Sequence, residues 1–125
     1  MSIKEITPKS GKPIQLTLSF KGIVSYRAYL CTEKDGQWRV SEKIDENGKA
    51  WDFRADVWNL PPLNGGEKKL LFIPATFETA LGKGDVSLTA VLTQDDRFTE
   101  SETISAQVSN GESPSLALRL FMRGV

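Results

Sequence analysis

The chain predicts an all-β domain, a single antiparallel β-sandwich of about eight strands covering residues 1–125. Three observations predict it. Apolar and polar residues alternate with a period of two in four separate runs, and turn-forming pairs fall between runs at intervals of about 11–17 residues. No segment sustains a 3.6-residue period over a dozen positions.

The alternating rows are Ile14-Leu16-Leu18-Phe20, Val24-Tyr26-Ala28-Leu30, Val86-Leu88-Ala90-Leu92 and Leu116-Leu118-Leu120-Met122. In a strand, residues two apart share a face, so each row is a core edge with its intervening residues outward. Asp35-Gly36, Asn47-Gly48, Gly65-Gly66, Gly82-Lys83-Gly84, Asp95-Asp96 and Asn110-Gly111 supply turn chemistry. Asp35-Gly36 predicts a hairpin joining 24–32 to 37–44, and Asn47-Gly48 predicts a second joining that strand to 50–57. Thr76 to Leu81 (TFETAL) is the best candidate for one helical turn, with Thr76 or Thr79 as cap and Gly82 as stop.

A sandwich of this kind is immunoglobulin-like or C2-like in class. The single Cys31 excludes the intrachain disulfide of antibody domains, and a core of this size needs none. Sixteen basic and sixteen acidic residues give zero formal net charge. That removes the electrostatic footprint of a nucleic-acid binder. The longest apolar run, Leu70 to Ala75, is far short of the roughly 20 residues that span a bilayer. The start, MSIKEITPKSG, lacks the apolar stretch of a signal peptide. A cytoplasmic location is the default expectation, with a secreted or periplasmic one if a leader has been removed.

WDFRADVW, residues 51–58, brackets three charges between two tryptophans. Alternation assigns Trp51, Phe53, Ala55 and Val57 to the core. Asp52, Arg54, Asp56 and Trp58 then face solvent, because burying three charges would cost several kcal/mol per ion. Trp58 is therefore either a lid over the end of the sandwich or an exposed anchor for a partner.

The chain contains no histidine, which removes the usual general base and the usual zinc ligand. Asp52 and Asp56 would lie about 13 Å apart along a strand, too far for a glycosidase pair. Glu100 and Glu102 are closer, on what reads as a solvated face, and no Gly-rich phosphate loop is present. Cys31 shares the outward parity of Ser25, Arg27 and Tyr29 and reads as an inert thiol. Neither catalysis nor a cofactor is expected. The stretch LTAVLTQDDRFTES, with Asp95 and Asp96, resembles over about a dozen residues the last calcium loop of C2 domains, but no second aspartate cluster matches it. Asp95 and Asp96, like Asp45-Glu46-Asn47, read as ordinary turn residues, and no metal site is expected.

The last run leaves Arg119, Phe121 and Arg123 outward, an arginine-aromatic row of the composition enriched at protein interfaces. The alternative is that the guanidinium groups merely cover Phe121 on a terminal strand. The expectation is a non-catalytic protein-interaction or structural module, a subunit or accessory domain of a larger assembly or a homo-oligomer. Its candidate contact residues are Trp58, Arg119, Phe121 and Arg123. One alternative is a carbohydrate-binding module in which Trp58 and Tyr29 form stacking platforms. Another is a calcium-dependent lipid-binding module.

Overall fold

Each alternating run becomes a strand. The computed structural model describes residues 4–52, 54–95 and 98–125, and among these are nine strands and no helix. They are β1 (Lys4–Ile6), β2 (Ile14–Lys21), β3 (Ile23–Lys34), β4 (Gln37–Ala50), β5 (Ala55–Leu60), β6 (Lys68–Glu78), β7 (Gly84–Gln94), β8 (Phe98–Val108) and β9 (Ser115–Arg123). A five-stranded sheet has the order β1-β9-β6-β3-β4, and a four-stranded sheet has the order β5-β2-β7-β8. The pairings are antiparallel except that β1 runs parallel to β9. This parallel strap is the departure from a purely antiparallel sandwich, and β9 gains a partner from it.

The core lies between the sheets. Leu16, Leu18, Leu88 and Leu92 from one sheet and Leu30, Leu71, Ile73, Leu118 and Leu120 from the other are buried in one cluster. Each such side chain stabilises the fold by about 1.5–3 kcal/mol through burial. Leu116 departs from its row. It is 36% exposed at the start of β9, although its alternation predicts core.

Asp35 and Gly36, at φ 54° and 77°, form the expected tight hairpin between β3 and β4. Asn47-Gly48 is not a turn, because β4 runs straight through it to Ala50. Gly48 is buried under the Tyr26 ring, and a Cβ there would fall inside that ring. The glycine answers a close approach rather than a reversal. TFETAL is not a helical turn either. The buried row Leu71, Ile73, Ala75, Phe77 carries β6 through Glu78, and the chain turns only at 79–82, where the Gly82 amide donates to the Thr79 carbonyl at 3.2 Å.

WDFRADVW reads with the wrong parity. β4 ends at Ala50 in one sheet, a turn closes with the Arg54 amide on the Trp51 carbonyl at 3.1 Å, and β5 starts at Ala55 in the other sheet. Alternation does not survive such a corner. Trp51 and Val57 are 53% and 52% exposed, whereas Leu60 is buried and Trp58 packs half-buried against the core. Phe53 lies outside the described residues. No helix among the described residues is long and apolar enough to cross a membrane.

Candidate functional site

The two outer faces of the sandwich differ in chemistry. On the four-stranded sheet, cross-strand register sets Ser19 beside Thr89 and Thr89 beside Thr103, with Thr17, Thr93 and Ser101 nearby. Thr89 and Thr103 share a hydroxyl hydrogen bond of 2.9 Å. This is the hydroxyl-lined face expected of an antiparallel sheet whose outer side meets water.

The five-stranded sheet is built otherwise. Tyr29 lies opposite Phe72 and Phe72 opposite Arg119, so three strands contribute one row. The next row runs Val40, Cys31, Leu70, Phe121. Cys31 and Leu70 are buried on this outer side although no second sheet covers it. Burial pushes the Cys31 thiol pKa up, which leaves little thiolate for reaction.

The sequence-derived row lands here. The Arg119 guanidinium sits 5.2 Å from the centre of the Phe72 ring, and Phe121 lies 5.3 Å from Trp38 across the sheet. Arg123 is turned aside, with its Nε donating to Glu5 Oε1 at 3.0 Å. Trp38 and Phe72 are the members that sequence reasoning missed. A signal for Phe72 existed in the unbroken run Leu70 to Ala75, since a strand apolar on both parities turns apolar side chains to both faces.

Beside the aromatics the face opens into a trough of about 580 Å3, lined among others by Ser25, Arg27, Lys49, Pro74, Thr76 and Leu116. Two irregularities shape it. Pro74 has no amide hydrogen to donate, and the β3–β6 ladder, though unchanged in register, is interrupted between Tyr26↔Ala75 and Tyr29↔Phe72 around it. On the other side, β4 shifts register against β3 between Tyr26 and Ala28 and again between Ala28 and Tyr29.

Trp58 belongs to a different place. It lies on β5 of the opposite sheet, edge-on to Tyr26 with ring centroids 6.2 Å apart. Tyr29 and Trp58 therefore form no common platform. Beside Trp58, Asp56 faces inward, where it accepts from the Tyr26 hydroxyl and from Arg54 Nε at 3.0 Å. Burial first, then the hydrogen bond and the charge of Asp56, push the Tyr26 pKa well above the usual tyrosine value.

The acidic residues weighed in the sequence for calcium or catalysis are engaged locally where they are described. Asp95 pairs with Lys12 at 2.9 Å, Glu100 pairs with Lys4 at 3.1 Å, and Asp45 caps the Asn47 amide at 2.9 Å. Asp96 lies outside the described residues. At one end of the sandwich exposed Trp51 and Leu81 flank a depression of about 390 Å3 with Ile23 and Lys21.

Comparison of the chain with protein-family models, with curated proteins and with solved structures gave no match.

Proposed function

We propose that this β-sandwich is a non-catalytic protein-interaction module that docks through the outer face of its five-stranded sheet, as a subunit or accessory domain of a larger assembly. The observation that carries the reading is the contrast between its faces. One sheet turns mainly hydroxyls outward, with Val57 and Val91 beside Thr17, while the other turns out the aromatics Tyr29, Phe72, Phe121 and Trp38 with Arg119 among them. Aromatic and arginine side chains dominate the energetics of protein interfaces. An interface pairs such residues with a partner, whereas a merely solvated sheet has no use for them.

Replacing Phe121 and Arg119 together by alanine tests the proposal. Assembly should weaken, read as a lower mass in light scattering of the purified complex, while the melting temperature moves little. Unchanged assembly with an unchanged melting temperature would contradict it.

A further inference from the structure

The docking face is basic in a chain whose charges sum to zero. By register and lining, Arg27, Lys49, Lys68 and Arg119 stand on it, and none of them has a carboxylate partner among the described residues. Lys43 and Arg123 are matched by Glu46 and Glu5, at 3.1 and 3.0 Å. Glu33, beside Trp38, and Glu78, opposite Ile23 at the end of β6, are the carboxylates of this face that form no ion pair among the described residues. The unmatched cations surround the apolar rows. Arg119 closes the row of Tyr29 and Phe72, and Arg27 lies two residues from Tyr29 on the same side of β3, over the trough beside Pro74.

Resting on the docking role proposed above, we infer that the occupant is an acidic polypeptide segment, with Asp or Glu side chains set among apolar ones. Charge favours it over a second copy of this chain. A two-fold contact sets the same patch against itself, so one net-positive face would meet another, and like charges brought together across an interface cost several kcal/mol. The face spans five strands and the eight steps from Lys68 to Thr76, about 19 Å by 26 Å at the usual strand spacing and rise. It suits an extended segment whose apolar side chains sit on Phe72 and Phe121 while its carboxylates reach the guanidinium groups.

The test selects random linear peptides, displayed on phage, against the intact protein. Synthetic copies of the enriched peptides are then measured on the protein and its variants. The expected peptides combine acidic and apolar residues. They should lose affinity about tenfold or more on Arg27→Glu with Arg119→Glu, as close charge pairs do, and on Phe121→Ser, and they should weaken as salt rises. Enriched peptides that are neutral or basic, or that ignore the arginine changes yet fail on Phe121→Ser, overturn the acidic partner and leave the docking face standing. Peptides that ignore Phe121→Ser as well, or no enrichment at all, overturn the docking face itself. Two further results overturn the acidic segment: a dimer of the wild type that Phe121→Ser dissolves, and retention on phosphatidylserine vesicles that requires Arg27 and Arg119 when no acidic peptide binds.

Discussion

The Tyr26 hydroxyl, carried by the five-stranded sheet, donates to the Asp56 carboxylate of the four-stranded sheet and ties the two together on the side where β4 and β5 leave the sandwich open. Arg54 holds the other oxygen of the same carboxylate. An inward carboxylate is tolerated here because both oxygens have donors.

Removing the hydroxyl with Tyr26→Phe should cost about 1–2 kcal/mol, the lower part of the range for a hydrogen bond to a charged group since Arg54 remains. A chain of this length should then melt several degrees lower. An unchanged melting temperature would mean that the bond contributes nothing net.

The same residue sets an alkaline limit. Its folded pKa is raised, so the unfolded chain ionises first. The stabilisation is fully present below the ordinary tyrosine value of about 10 and is lost progressively as pH rises above it. In a Tyr29→Phe variant, where Tyr26 is the sole tyrosine, phenolate absorbance should appear only together with unfolding. Phenolate at pH near 10 in folded protein would contradict the buried hydroxyl.

Gly48→Ala should destabilise by about 1–3 kcal/mol, the usual cost of forcing volume into a packed site, because the added carbon meets the Tyr26 ring. Pairing it with Tyr26→Ala should recover part of the loss. If the double variant is no better than the sum of the singles, the ring does not explain the glycine.

Much of the fold is legible in the sequence, and the limits are physical. Rows such as Leu16-Leu18-Phe20 and Leu118-Leu120-Met122 announce themselves because alternation is local to a strand. Asp35-Gly36 is legible because both residues adopt the positive φ that their types favour. Asn47-Gly48 carries the same signal for another reason, an aromatic ring from a different strand, which no local pattern reveals. WDFRADVW fails because parity was counted across a corner between sheets. Arg119 and Phe121 were readable as outward, but the face they join was not. The row Tyr29, Phe72, Arg119 unites residues far apart in the chain, and only the register of β3, β6 and β9 brings them together.

The corner gives a direct reversal of tryptophan roles. Trp58→Ala should cost about 2–4 kcal/mol, below the full range for a wholly buried tryptophan, while Trp51→Ala should change stability by less than about 1 kcal/mol. Denaturant midpoints at constant slope measure both. A stable Trp58 variant beside an unfolded Trp51 variant would restore the alternation that the corner breaks.

The claim that the five-stranded sheet docks a partner is tested most directly by capturing partners with the tagged full chain from its native host, using two matched variants. Tyr29→Ser with Phe121→Ser alters the aromatic face, and Thr17→Lys with Thr103→Lys alters the hydroxyl face, both sets lying on outer sides. With both variants shown folded by their melting curves, the partner held by the wild type should be lost from the first and retained by the second. Retention by the first and loss from the second would place the interface on the opposite sheet.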